Sequence, residues 1–224
     1  MVDGSDRVRG GQDRSAGDMA RRELVVLVFS LLAAVIVLGA ADFYLIKARD
    51  SAPTTGPQLE VRVLEGAVKS NPIDYASRRQ LAYAYQQAGR RGRALDEYSK
   101  VLAAYPDDLA SLYNSGILLL GSWRNAEGEK DLLRVLQLAP THALAAETLG
   151  EHYAKQQRFN RVLAVVLPAA AAHPDFADLQ YLAGLGYEHN GEFVMAEKYY
   201  RHALELAPDM GEARQGLART GGAK

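Results

Sequence analysis

Five prolines, Pro72, Pro106, Pro140, Pro174 and Pro208, follow one another at intervals of 34 residues, in a chain that has only eight prolines. A fixed spacing of this size means that one structural unit recurs, and it constrains the fold more than any other feature of the sequence. The stretches that carry these prolines echo one another: SKVLAAYPDD at 99–108, LRVLQLAPTH at 133–142 and RHALELAPDM at 201–210. In each, an apolar helical pattern runs into a proline, which lacks the amide hydrogen that a helix needs next and crowds the preceding turn.

With the prolines aligned, further columns fall into register. A small residue recurs at Ala82, Gly116, Gly150 and Gly184, and a large one three positions later at Tyr85, Leu119, Tyr153 and Tyr187. Beyond these come Ala94, Gly128, Val162 and Ala196, then Tyr98, Leu132, Val166 and Tyr200, then Leu102, Leu136, Ala170 and Leu204. Residues three or four apart share one face of a helix, so each unit reads as two antiparallel helices. The small column lets the second helix approach, and the large column fills the space beside it. Gly89 and Gly191 mark the turn between the helices. The residue after each proline, Asp107, Thr141, Asp175 or Asp209, is placed to cap the next helix. Three departures stand out: Ser115 in the column of Leu81 and Leu149, Trp123 in a turn, and Pro168 inside the second helix of the third unit. At Pro168 a bend or break over 164–168 is expected, with thin packing against the fourth unit.

A 34-residue helix–turn–helix with this pattern resembles the tetratricopeptide repeat. The resemblance implies an all-α fold, a right-handed superhelical solenoid. It covers full units at 75–108, 109–142, 143–176 and 177–210. A half unit at 58–74 precedes them, and a capping helix at 211–220 carries Leu217 and Ala218 in first-helix register. It also implies a protein or peptide partner held on a concave face lined by the first helices. The register places Arg79, Tyr83 and Gln86 there from the first unit and Tyr113, Asn114, Ile117 and Leu120 from the second. Glu147 and Glu151 follow from the third, and Tyr181, Leu185 and Glu188 from the fourth. Gln87, Leu144, Lys155 and Asp178 share the face. An apolar strip with charges around it has the composition of a peptide or helix groove. Some members of the family clamp a C-terminal carboxylate with Lys and Asn. Only Arg79 and Asn114 approximate that set, and Tyr83, Leu144 and Thr148 depart from it.

Ahead of the repeats, residues 1–23 are polar and read as a disordered cytoplasmic tail. Leu24 to Ala41 then runs without a charge for 18 residues. As a helix this spans about 27 Å, close to a hydrocarbon core of about 30 Å. Phe43, Tyr44, Leu45 and Ile46 extend it with interfacial aromatics. The expectation is a transmembrane anchor over Leu24–Ile46 and a linker over 47–57. The alternative is a signal peptide cleaved near Ala41, which leaves a secreted protein. Arg7, Arg9, Arg14, Arg21 and Arg22 precede the run and only Lys47 and Arg49 closely follow it. This places the N-terminus in the cytoplasm and the repeats on the periplasmic or cell-surface side. Ser30 and Ala34 offer a small-xxx-small face for helix pairing.

Residues 57–224 carry 19 basic and 20 acidic side chains, and such a balance argues against a nucleic-acid partner. The basic run Arg90, Arg91, Arg93 reads as a solvated turn, with anionic headgroups or an acidic partner as the functional alternative. Without cysteine there is no disulfide, thiolate nucleophile or cysteine-held metal. The histidines, His142, His152, His173, His189 and His202, form no ligand pattern and read as exposed helical side chains. There is no phosphate-binding loop or nucleophile elbow either. The expected protein is therefore not an enzyme and has no catalytic residue, metal or cofactor. It is a membrane-anchored scaffold that holds a partner protein during assembly, secretion or maturation. Its layout is similar to that of anchored bacterial tetratricopeptide proteins of cytochrome c maturation, secretion and envelope assembly. The competing expectation is a structural accessory subunit of a membrane complex, in an oligomer of like or unlike chains.

Overall fold

The computed structural model describes residues 56–221; the expected tail and membrane span, and most of the expected linker, lie outside them. Among the described residues there are ten helices and no strand. They are α1 (Gly56–Ser70), α2 (Tyr75–Gln87), α3 (Arg91–Ala104), α4 (Leu109–Leu120), α5 (Asn125–Leu138), α6 (Ala143–Lys155), α7 (Phe159–Ala172), α8 (Ala177–His189), α9 (Phe193–Leu206) and α10 (Gly211–Gly221). None of them is long and apolar enough to cross a membrane. Helices α2 to α9 form four hairpins at the expected period; α1 is a second helix with no first helix before it among the described residues, and α10 closes the stack.

The prolines end the second helices as expected. Each helix stops two residues before its proline, and the residue between, Tyr105, Ala139, His173 or Ala207, turns to φ between −124° and −137° and ψ between 69° and 84°. Proline forces its predecessor out of the helical region in this way. The expected caps are displaced by one position. Asp74 accepts from the amides of Ala76 and Ser77, Asp108 from Ser111, and His142 Nδ1 from Ala145. The proline and its successor make the corner, so the second residue after the proline is the last one outside the helix. Asp107, one place early, instead pairs with Arg134 at 2.7 Å. A further column closes the corners from the next helix: Arg78 donates to Pro72 O, Gln180 to Pro174 O and Arg214 to Pro208 O. These bonds give a partner to proline carbonyls that lie in the corner, outside any helix.

Small and large columns meet as the pattern requires. A Cβ placed on Gly116 would lie 2.6 Å from Leu132 Cγ, and one on Gly184 would lie 2.7 Å from Tyr200 Cδ1. The facing residues Tyr98, Leu132, Val166 and Tyr200 are fully buried. In the outer units the turn is made by Gly89 and Gly191, at φ 71° and 79°. In the third unit Gln157 adopts φ 58° at the equivalent place, a conformation with a side-chain penalty that glycine escapes. The polar intrusion at Ser115 has a matching partner: its hydroxyl donates to Asp131 at 2.9 Å.

Helix α7 is not broken at Pro168. The carbonyl that loses its amide partner belongs to Ala164, which is exposed, as is Pro168. The missing bond thus falls on the solvent side, while Val165, Val166, Ala169 and Ala170 of the same helix are buried. The joint to the fourth unit is not thin either. Gln180 donates to the carbonyl of Ala170 at 3.2 Å, and the Phe159 ring stacks on His189 at 3.7 Å.

Candidate partner-binding groove

Helix α1, which has no first-helix partner among the described residues, shapes the site. Val61 is the fully buried residue of α1, with Leu64 and Val68 packed beside it against α2 and α3. Leu59 and Val63, four residues apart and therefore on one face, stay 52% and 64% exposed. No first helix covers that face among the described residues. Here it borders a groove of about 780 Å³, whose other walls come from α2 and α4. Leu59, Glu60, Val63 and Leu64 line one side, Arg79, Gln80 and Tyr83 the other, and Tyr98, Ala110 and Asn114 complete it. Tyr83 is half exposed. Arg79 is held by Asp108 at 2.6 Å, and the Asn114 amide donates to Ala110 O at 2.8 Å, leaving its carbonyl oxygen as an acceptor. The groove can therefore seat an apolar segment and bond a few of its polar groups, with Glu60 on its wall an acidic group that has no ion-pair partner among the described residues.

The expected concave residues divide into two sets. Arg79, Tyr83 and Asn114 line the groove. Gln86, half-buried beside it, accepts from Tyr98 at 3.2 Å. The others do not join them. Tyr113, Leu120, Tyr181 and Leu185 pack against the central core, and Ile117 is half-buried. Tyr113 also tilts against the His142 ring at 5.3 Å. Burial raises the hydroxyl pKa of Tyr113 and Tyr181 above the ordinary tyrosine value. These four are thus partly buried against the core, with only part of each side chain open to a partner. Glu188 is likewise committed, accepting from Tyr200 at 2.5 Å and from Arg219 of α10. Burial works to raise its pKa, but those donors outweigh it and hold the carboxyl below its usual range. Glu151 is exposed and pairs with Lys155 at 3.4 Å. Glu147 is half-buried, and burial followed by the nearby Asp178 and Glu151 charges pushes its pKa up.

Sequence reasoning missed Leu59, Glu60, Val63 and Leu64. A partial signal was available: where α1 has Leu59 and Val63, the second helices α3 and α5 have Arg93 with Glu97 and Glu127 with Asp131. In α7 and α9 the same positions hold Arg161 with Val165 and Met195 with Tyr199, so apolar type alone does not mark the face; the exposure of Leu59 and Val63 does. The histidines are more committed than expected: besides His142 and His189, His173 contacts Thr141 O at 2.9 Å, and His152 lies 3.9 Å from Glu129.

Residues 177–210 match the family model of the tetratricopeptide repeat. A TPR repeat-containing protein of Pseudomonas aeruginosa is 31% identical over 145 residues, covering 63% of this chain and 24% of that protein. The chain thus spans about a quarter of the length of this curated relative. Among solved structures, MamA from Desulfovibrio magneticus RS-1 is similar with a TM-score of 0.59 at 24% identity, over 67% of this chain and 85% of MamA. A tetratricopeptide repeat protein from Parabacteroides merdae gives 0.60 at 16% identity, over 71% of this chain and 64% of that one. The chain carries a tetratricopeptide repeat, and its described body has the fold of tetratricopeptide-repeat proteins.

Proposed function

We propose that this chain is a membrane-anchored, non-enzymatic scaffold. Leu24–Ile46 holds the repeats on the outer side of the membrane, and the groove between α1, α2 and α4 grips an apolar segment of a partner protein during that partner's assembly, secretion or maturation. The observation that carries this reading is the exposed Leu59–Val63 face opposite Tyr83, open among the described residues. An apolar strip of this kind with a polar margin suits a helix or an extended peptide. Glu60 favours a partner segment with a lysine or arginine beside its apolar anchor. A photo-crosslinking amino acid at position 83, compared with one at exposed Gln137 on α5, tests the site in native membranes. A discrete partner adduct from position 83, competed by overexpressed partner, supports the groove; equal adducts from both positions overturn it. Intact mass of the membrane-extracted chain tests the anchor, and a mature N-terminus near Ala41 or Asp42 overturns it.

A further inference from the structure

The turns between the helices of successive units stack along one end of the body. Arg91 Nη1 donates to Gly121 O at 2.7 Å, joining the first unit's turn to the second's. Arg158 reaches Glu129 at 3.4 Å, and Phe159 stacks on His189, joining the third to the second and to the fourth. On this end three second helices, α3, α5 and α7, start from the same residue type: Arg90, Arg124 and Arg158 are their N-caps, and none makes a side-chain cap bond. Ser, Thr, Asp or Asn would satisfy the free amides there, and a cation faces the unfavourable end of the helix dipole. Arg124 is held by two bonds to Glu127 and Arg158 lies over the Tyr153 ring at 4.7 Å, but the cap bond itself is missing in three units in a row. Arg91, Arg93 and Arg161 add to the row. Glu127, Glu129 and Glu65 balance Arg124, Arg158 and Arg93. Arg90, Arg91 and Arg161 have no carboxylate partner among the described residues. Between the arginines stands Trp123, 90% exposed, the single tryptophan of the chain. The fourth unit differs, with Glu192 at the cap.

The same end receives the chain. Glu65 accepts from Tyr85 at 2.6 Å and lies 3.5 Å from Arg93, so α1 runs antiparallel to α2 and enters from the end where α2 finishes and α3 begins. Only residues 47–55 separate Ile46 from Gly56, a tether of about 30 Å at full extension.

We infer that the turn edge carrying Arg90, Arg91, Arg124, Arg158, Arg161 and Trp123 lies on the membrane, its arginines on anionic lipid headgroups and its indole in the interface. The inference rests on the anchor reading of Leu24–Ile46 for its geometry. An exposed indole amid cations suits a headgroup layer, where tryptophan is enriched and each basic residue adds attraction. It does not suit open water.

Trp123 reports directly on this. The full chain is reconstituted into phosphatidylcholine vesicles and into vesicles with added phosphatidylglycerol, and its emission is recorded. The expected result is co-sedimentation with both kinds, a blue shift with the anionic vesicles alone, and reversal of the shift by high salt. In Arg90→Gln/Arg161→Gln the anionic-lipid fraction giving half the shift rises, since each arginine is worth roughly five-fold in surface affinity. Both side chains are exposed, so circular dichroism should be unchanged. Co-sedimentation with both kinds but unshifted emission overturns the edge while leaving the anchor. Equal shifts with both kinds overturn the role of the arginines. A chain that sediments only with anionic vesicles, with shifted emission, supports the edge and overturns the anchor; one that sediments with neither overturns both.

Discussion

Arg219 of α10 clamps the Glu188 carboxylate of α8 with two hydrogen bonds, Nε to Oε1 and Nη2 to Oε2, across 31 residues of sequence. The carboxylate also accepts from Tyr200, which is fully buried in α9. The last unit and its cap are thus tied at one carboxyl group. Arg219→Ala should loosen α10 selectively. The arginine is about half exposed, so screening limits the cost to about 1 kcal/mol. Hydrogen exchange should show faster amides over 211–221 with those over 95–104 unchanged; equal acceleration in both would mean that the clamp is not local.

The same carboxyl group makes the cap acid-sensitive. Its folded pKa lies below the ordinary value, despite burial, because of Arg219 and Tyr200. A depressed carboxylate contributes stability above its unfolded pKa of about 4.3 and loses it as pH falls through the folded value. Thermal melts from pH 7 down to pH 3 should therefore fall more steeply for the wild type than for Glu188→Gln. Parallel profiles would remove Glu188 from the account of acid stability.

Gly184→Val should be strongly destabilising. Its new Cβ would meet the Tyr200 ring at 2.7 Å, and that ring is fully buried between α8, α9 and α10. Overpacking of this kind costs about 1–3 kcal/mol. Gly66→Val, on the exposed part of α1 with nothing within 4 Å, is the control. Similar melting temperatures for the two variants would show that the stack yields more easily than its packing suggests.

Tyr83 and Tyr181 separate binding from folding. Tyr83→Ala removes a half-exposed ring and should change stability by less than about 0.5 kcal/mol, while abolishing the position-specific partner adduct. Tyr181→Ala removes a ring packed on Tyr200 at 6.0 Å and on the core, and should cost about 2 kcal/mol. Calorimetry of both variants decides this. A reversed order would return Tyr181 to the binding surface.

The period, the hairpins and the closing prolines were legible because each rests on a local steric fact repeated at a fixed interval. The small column is readable for the same reason: Gly116, Gly150 and Gly184 sit where an added Cβ would strike the facing helix. The site was less legible. Register says which residues point inward, but not whether a neighbouring unit already covers them, as it does Tyr113 and Leu185. Nor does it show that Glu188 is taken by an arginine from α10. The groove lies beside the half unit at the start of the described residues, and a reading built on the full units looks past that place. The cap positions slipped by one because the width of the proline corner depends on backbone torsions that the pattern does not encode.

Pro168→Ala gives the sharpest contrast between pattern and structure. A proline at the tenth position of a helix removes the amide that would bond Ala164 O and is expected to cost about 3 kcal/mol against alanine. Here α7 continues through it, with Ala164 and Pro168 both exposed and the buried neighbours on the other side undisturbed. Alanine would restore the internal bond in place of one to water and relieve the crowding. It would also free the unfolded chain, which takes back about 0.4–1 kcal/mol. The net expectation is a gain of about 1–2 kcal/mol, seen as a higher melting temperature and slower exchange of amides 163–172. The packing of Ala169, Ala170 and Gln180 should be unaffected, so partner capture should not change. Reduced partner capture by a more stable variant would show instead that the proline permits a motion between the third and fourth units that binding requires.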